Sequence, residues 1–231
     1  MIGVIAHPSD CAIVQEFFEL FKTPWEFYRS GERYDVLLCT ESHDCEDNPA
    51  KLTLIYAGRK LPSDAAVKIQ IAASETNASG LFYRGRSIPL YGDNVTFGVD
   101  KDDWLLDEEF QQPMLHVRQF CGRVEVRIGY DLFREVRSLL TLGQPAANAA
   151  LPALELHIAL LREVITGCGI PLVEIPPAPQ GYPCIACLTH DVDHPSIPST
   201  DLTTPCSGFC IARSLVPWAG LFAARCLREV W

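Results

Sequence analysis

Ionisable side chains follow directly on an apolar run near the carboxyl end of the sequence. Residues 184–189 (CIACLT) have the composition of a buried strand, and His190, Asp191, Asp193 and His194 come next. Because alternate residues of an extended chain share a face, Asp191 and Asp193 are predicted to point the same way. Carboxylates and imidazoles are usual ligands of Zn²⁺, Mn²⁺ and Fe²⁺. The spacing predicts a metal site at a strand end, with a polar turn as the alternative.

The residues Leu188 to His194, Leu-Thr-His-Asp-Val-Asp-His, resemble the first motif of the polysaccharide deacetylase family. These metal-dependent enzymes remove acetyl groups from sugar polymers, and their motif is Thr-x-Asp-Asp, sometimes spread to Asp-x-Asp. The resemblance implies that Asp191 is the catalytic base and that Asp193, helped by His194, ligates a divalent metal, expected to be zinc. It also implies an acetylated polysaccharide or oligosaccharide as the substrate.

The family pattern is incomplete in this sequence. The resemblance calls for a downstream His-x-x-x-His pair, and no histidine follows His194. A β/α barrel takes on the order of 200 residues or more. We therefore expect residues 181–231 to hold only the first β/α unit of an incomplete deacetylase-type β/α barrel. With one matched ligand, the chain is expected to be truncated and inactive and to bind zinc weakly.

Four cysteines suggest a different metal site. Cys184-x-x-Cys187 and Cys206-x-x-x-Cys210 approximate the two pairs of a zinc ribbon. Against this alternative, the first pair lies within the apolar run, and the second pair has three intervening residues instead of two.

Other function classes stay open at this stage. Asp191-x-Asp193 also resembles the motif of aspartate-based phosphatases, although Pro195 stands where that family has Thr or Val. The Asp-x-Asp of nucleotide-sugar glycosyltransferases is a further alternative, but no base pocket precedes it here. The non-enzyme alternative is a binding or scaffold domain before Pro176, in a chain that does no chemistry.

Charge and composition exclude some partners. The chain of 231 residues carries a formal net charge of −10 and shows no basic stripe, which argues against nucleic acid. The amino terminus has no basic region and reaches Asp10 too early for a secretory signal, so a cytoplasmic location is expected. The apolar segment from Gly208 to Ala224 contains Arg213 and Pro217 and is too short for a transmembrane helix.

The elements before the motif predict an α/β fold: a mixed α/β amino-terminal region followed by the barrel unit. Residues 1–6, 34–39, 51–56, 66–71 and 124–128 are predicted strands, and 81–97 a small antiparallel meander. Residues 11–21, 131–142 and 151–168 have helical periodicity, and His157 beside the last apolar stripe is predicted to be a core histidine. No Gly-x-Gly-x-x-Gly follows the first strand, so a dinucleotide site is not indicated.

Domain boundaries follow from these patterns. We predict an α/β unit over residues 1–75, a region of β-meander and two helices over 76–175, and the barrel unit from 181. The proline-rich run from Ile175 to Pro179 is a stiff connector before the last unit.

Overall fold

The structure is a computed structural model that describes residues 1–40, 50–75, 80–98, 105–107, 112–176 and 178–186. Nearly all of these belong to one unit, Met1–Cys184, and a second unit spans Ile185–Trp231. In chain order the described elements are β1 (Ile2–Ile5), α1 (Cys11–Phe21), β2 (Trp25–Phe27), β3 (Val36–Thr40), β4 (Leu52–Tyr56), α2 (Pro62–Ala66), β5 (Ile71–Glu75), β6 (Gly80–Tyr83), β7 (Arg86–Pro89), β8 (Asn94–Phe97), β9 (Leu105–Asp107), β10 (Leu115–Phe120), β11 (Arg123–Ile128), α3 (Leu132–Thr141) and α4 (Ala153–Gly167).

A six-stranded sheet organises the unit, with the strand order β10-β11-β4-β3-β1-β2. β1, β2, β3, β4 and β11 run parallel, and β10 pairs antiparallel with β11 at one edge. The central strand β3 is buried along its whole length, as expected for a parallel strand covered on both faces. The predicted mixed α/β architecture is therefore confirmed for this part of the chain.

Three helices cover one face of the sheet. In α1 the side chains of Val14, Phe17, Phe18 and Phe21 are buried at helical spacing, and the helix ends at Lys22 with a left-handed φ of 56°. The Phe17 ring packs edge-on against Phe133 of α3, with centroids 5.9 Å apart. Apolar side chains of α1, α3 and α4 form one core with those of the sheet. Burying this shared apolar surface is the main driving force that holds the helices in place.

The opposite face is contacted by α2. Arg127 alternates with Val126 and Ile128, which face the helical core, so its side chain projects from the other face of β11. There it meets Asp64 of α2. Helices therefore lie on both faces of the sheet, as in doubly wound α/β folds.

An insertion of short strands lies between β4 and the last two strands of the main sheet. It forms a two-stranded sheet, β5-β8, and a three-stranded sheet, β7-β6-β9. The predicted meander over residues 81–97 is correct for the antiparallel pair β6 and β7 but wrong for its third strand. β8 pairs with β5 instead, because its backbone is also held against the main sheet: Val95 N donates to Gly129 O at 2.7 Å.

Two other predicted strands differ from the structure. Residues 66–71 alternate in polarity, yet α2 ends at Ala66, Lys68 adopts a left-handed φ of 62° and β5 begins only at Ile71. The predicted buried strand over residues 184–189, directly after Pro183, is wrong over its first three residues, since Cys184, Ile185 and Ala186 are exposed and outside any strand. Proline has no N–H to donate to a strand ladder, which disfavours pairing there.

The remaining predictions about organisation concern other ranges. The predicted boundary at residue 75 stays a prediction, and strands from both sides of it pair in the main sheet. The predicted barrel unit, apart from residues 181–186, lies outside the described residues. Within the described ranges, no helix has both the length and the apolar character needed to cross a membrane.

Candidate functional site

The strand order of the main sheet reverses between β1 and β3. From β1 the chain passes through α1 to β2 on one side, whereas β3 is followed by β4 on the other side. β1 and β3 are neighbours, with Ile5 opposite Cys39 at their carboxyl ends. In open α/β sheets, ligands bind outside the carboxyl ends of the strands at this kind of reversal. We call the segment 6–10 together with Thr40 the switch point.

The insertion closes the carboxyl ends of the two neighbouring strands, β4 and β11. A Cβ added to Gly58, after β4, would lie 1.9 Å from the Asp93 carbonyl oxygen. At Gly129, after β11, it would lie 2.0 Å from the Val95 carbonyl oxygen. Both positions need glycine because the backbone around β8 packs directly on them. β3, the neighbour of β4, ends at Thr40 beside these covered strand ends.

His7 is the exposed ring at the switch point, and Ser9 holds it. The Ser9 backbone N–H donates to His7 Nδ1 at 3.3 Å, and the Ser9 hydroxyl lies 2.8 Å from the same nitrogen. Because Nδ1 accepts from the backbone, the proton of the neutral ring is assigned to Nε2. His7 therefore offers an N–H donor through Nε2.

The pair of Ser9 and His7 forms a helix cap. A catalytic triad needs a carboxylate on the far nitrogen of the imidazole. Here the carboxylate of Asp10 accepts from the Ser9 hydroxyl at 3.4 Å instead, and His7 is the residue that caps the short 3-10 turn Pro8–Asp10. Acyl transfer chemistry has no support from this arrangement.

Arg137 of α3 braces the same loop. Its Nη2 donates to the Ser9 carbonyl oxygen at 2.7 Å and forms an ion pair with the Asp10 carboxylate. The Arg137 guanidinium is thus bound to the loop, and Asp10 balances its charge. An anionic ligand would have to compete with Asp10 for this guanidinium.

A row of buried polar groups lies under this edge of the sheet. The row consists of Thr40 at the end of β3, Tyr56 at the end of β4, Tyr130 after β11, and His157 of α4. Tyr130 OH lies 3.1 Å from His157 Nδ1, and the Tyr56 and Tyr130 rings meet edge-on with centroids 5.4 Å apart. No well-oriented hydrogen bond from the described residues reaches Thr40 Oγ1, Tyr56 OH or His157 Nε2.

Burial keeps the titratable members of this row uncharged. It raises the pKa of Tyr56 above the usual value, opposed by the neighbouring Tyr130 hydroxyl, and raises that of Tyr130 well above it. It lowers the pKa of His157 to about 4. The prediction that His157 is a core residue is confirmed, since its side chain is inaccessible to solvent. A histidine held neutral and sealed from solvent is a structural group and a poor general acid or base at neutral pH.

The predicted metal site lies elsewhere in the chain. Asp191, Asp193 and His194 are outside the described residues, so zinc binding by them stays a prediction. Within the described ranges, no three His, Cys, Asp or Glu side chains are grouped to hold a metal ion. Of the predicted zinc-ribbon cysteines, Cys184 is exposed and unbridged, and Cys187, Cys206 and Cys210 also lie outside the described residues.

Comparisons with known proteins do not assign a family. No family model matches the chain, and no curated protein matches it either. Solved structures that resemble it are Gan42B, a GH42 β-galactosidase from G. stearothermophilus, and a catalytic mutant of it; each has a TM-score of 0.48, 10% identity and coverage of 73% of this chain. A β-galactosidase from the psychrophilic Marinomonas ef1 has a TM-score of 0.45, 9% identity and coverage of 76%. The matched region spans 30% of the length of each of these enzymes.

These findings correct the family prediction. The resemblance to polysaccharide deacetylases was carried by seven residues, Leu188 to His194, and no family model supports it. The structural neighbours are glycoside hydrolases and not deacetylases. Metal-dependent removal of acetyl groups, and the specificity for acetylated sugars that it implied, are therefore withdrawn. A short acidic motif after an apolar run was too weak a signal to identify a family.

Sequence reasoning missed the switch point. The sequence predicts the first strand, the helix and the next strand. The loop after β1 contains no glycine-rich phosphate motif, which is the signal expected there. The available signal was the polar segment His7 to Asp10 directly after a buried strand. Its importance depends on the strand order, which pairs residues far apart in the sequence.

Proposed function

We propose that the unit Met1–Cys184 is a non-catalytic domain that binds a small uncharged polar ligand at the switch point. One observation carries the proposal: the strand order reverses between β1 and β3, while β8 packs on the ends of β4 and β11. Ligands of open α/β sheets bind at such reversals. Residues that follow β1, among them the exposed His7, would therefore contact the ligand.

The charges around the switch point favour an uncharged ligand. The chain carries a net charge of −10, and the nearby guanidinium of Arg137 is already paired with Asp10. Binding a phosphate or carboxylate would place it beside Asp10, where it would compete with that carboxylate for Arg137. The exposed His7 ring offers an N–H donor. A molecule rich in hydroxyl groups, such as a neutral saccharide, can accept from this N–H without adding charge.

Among the described residues, the polar side chains near the switch point support a binding role without catalysis. Tyr56, Tyr130 and His157 are buried in their neutral forms, and Ser9 and His7 serve as a cap. Catalysis needs groups that reach the reacting atoms and change protonation near the working pH.

Variant affinities test this proposal. Isothermal titration of the full chain with glucose, galactose, maltose and lactose is compared with titration by glucose 6-phosphate. In His7→Asn the asparagine keeps a capping oxygen, but its shorter amide does not place an N–H at the position of the imidazole Nε2. Loss of one hydrogen bond of about 1 kcal/mol predicts a roughly fivefold weaker affinity for the neutral sugar.

The matched control is His116→Asn, on the edge strand β10 at the far side of the sheet. Its affinity is expected to equal that of the unmodified chain. Equal binding by both histidine variants, or tighter binding of glucose 6-phosphate than of glucose, would contradict the proposed site and ligand class.

A further inference from the structure

His157 connects α4 to the carboxyl edge of the sheet through a single polar contact. Its imidazole is inaccessible to solvent, and Nδ1 lies 3.1 Å from the hydroxyl of Tyr130, the second residue after β11. The two rings have centroids 5.4 Å apart. Around this contact α4 is held by apolar side chains that include Leu156, Leu160 and Leu161. The imidazole therefore sits between the helix and the sheet, within their shared core.

The polar contact given for His157 within the described residues is with the Tyr130 hydroxyl and not with a carboxylate. The titratable and charged groups on α4 and on the elements packed against it include Tyr56, Arg86, Tyr130, Asp131, Arg134, Glu135, Arg137, Glu155, Arg162 and Glu163. Asp131 accepts from Arg134 N, and Glu135 accepts from the backbone of the 91–92 turn. Glu163 pairs with Arg84, and Glu155 is exposed. Burial is the cause of the low His157 pKa, about 4. A proton on the ring would place a charge inside the core, which is costly without a paired counter-charge.

The ends of α4 differ in how firmly they are held. At its start, Pro152 occupies the cap position and provides no side-chain hydrogen bond to the first turn. Toward its end, Arg162 donates twice to the Glu174 carboxylate at 2.7 and 2.9 Å, and Ile175 N donates to Lys22 O at 2.9 Å. The amino-terminal half, which carries His157, is therefore the part of the helix with fewer polar restraints.

We propose that His157 is an acid-sensitive latch: protonation of its ring expels it from the core and opens the amino-terminal half of α4, while β3 and β4 stay paired. The His157 ring binds a proton more tightly in the open form than in the closed form. The latch is fully closed above the unfolded-state pKa of 6.5 and weakens as the pH falls toward about 4. Linkage to one proton predicts that the equilibrium constant for opening rises roughly tenfold for each unit by which the pH falls across this window.

Hydrogen exchange of the full chain between pH 7.5 and 4.5 tests the latch. After correction for the intrinsic exchange rate, the amides of residues 154–160 are expected to be less protected than those of β3 and β4 at every pH. Their protection is expected to fall roughly tenfold per unit below pH 6.5. Protection of residues 154–160 that does not change with pH, or that equals that of β3 and β4 throughout, would overturn the proposal.

Two variants isolate the ring. His157→Gln cannot be charged, so its protection is expected to lose the dependence on pH. His116→Gln, a control on β10, is expected to retain it; the same slope in both variants counts against the latch. If His157→Gln does not fold, the ring resonances of His157 in the unmodified chain replace it. The chemical shifts of these ring resonances are expected to remain those of a neutral imidazole down to about pH 5. Titration of the ring near pH 6.5 would overturn the proposal.

Discussion

Arg127 and Asp64 form an ion pair inside the protein, with Nε 3.1 Å from Oδ1 and side-chain exposures of 1% and 2%. The guanidinium also donates to the carbonyl oxygens of Ala57, Arg59 and Ile128. The second Asp64 oxygen accepts from Leu61 N at 2.7 Å. The pair therefore joins β11 to the chain that leaves β4, at the point where the insertion begins. It helps to hold the insertion over the ends of these two strands.

Replacing Arg127 by methionine is expected to destabilise the protein strongly. The change leaves the Asp64 carboxylate buried without its partner, which typically costs about 3–5 kcal/mol. Urea denaturation followed by circular dichroism measures the loss. Arg118→Met is the matched control, because the ion pair of Arg118 with Glu125 is partly exposed and worth about 1 kcal/mol or less. Similar losses in the two variants would show that burial of the Arg127 pair has no special role.

Alanine at Gly58 or Gly129 is expected to displace the insertion. The added Cβ would meet a carbonyl oxygen of residue 93 or 95 at about half the normal contact distance. Overpacking of this kind costs about 1–3 kcal/mol, which thermal denaturation detects. Gly167→Ala is the control, since nothing lies within 4 Å of a Cβ there. It should be neutral or slightly stabilising, and an equal loss in all three variants would refute close packing of β8.

Glutamine at position 135 is expected to loosen the turn before β8. The Glu135 carboxylate accepts from Tyr91 N and Gly92 N, both at 2.7 Å, and an amide can accept through one oxygen only. The unsatisfied N–H group costs about 1–3 kcal/mol. Faster hydrogen exchange at Gly92 is the expected result, with the exposed Glu155→Gln as control. Unchanged exchange in Glu135→Gln would mean that the turn does not depend on this carboxylate.

The pH dependence of stability gives a second signature of Glu135. Burial raises its pKa, opposed by the hydrogen bonds from Tyr91 and Gly92. The folded chain therefore binds this proton more tightly than the unfolded chain, whose value is near 4.5. Its contribution to stability falls as the pH rises from about 4.5 through the raised folded value. Denaturation midpoints of Glu135→Gln should lack the part of the pH dependence that comes from the Glu135 proton. A pH profile equal to that of the unmodified chain would contradict this contribution of Glu135.

The sequence predicts those elements whose apolar side chains repeat with a clear period. α1, α3 and α4 lie within a residue or two of their predicted bounds, because each buries one regular stripe against the sheet. β2 was not predicted, since three half-buried residues carry no period of their own. α2 was missed because its five residues are fixed by the Asp64 contact with Arg127, which comes 63 positions later.

The candidate site was harder to predict than the fold. His7 and Thr40 become neighbours of one site only through the pairing of β1 with β3, and Gly58 and Gly129 matter only because β8 packs on them. These relationships join distant parts of the chain, so local spacing does not reveal them. The acidic motif at residues 191–194, in contrast, is visible in the sequence because its spacing is local.

The most direct test of the proposed function is a map of amide shifts during ligand addition. The full chain labelled with ¹⁵N is titrated with glucose, galactose, maltose and lactose up to tens of millimolar. The proposal predicts saturable shifts that centre on Ala6, His7 and Thr40 and leave β10 unchanged. No shifts with any of the four sugars, or shifts confined to residues away from the carboxyl ends of β1 and β3, would contradict it.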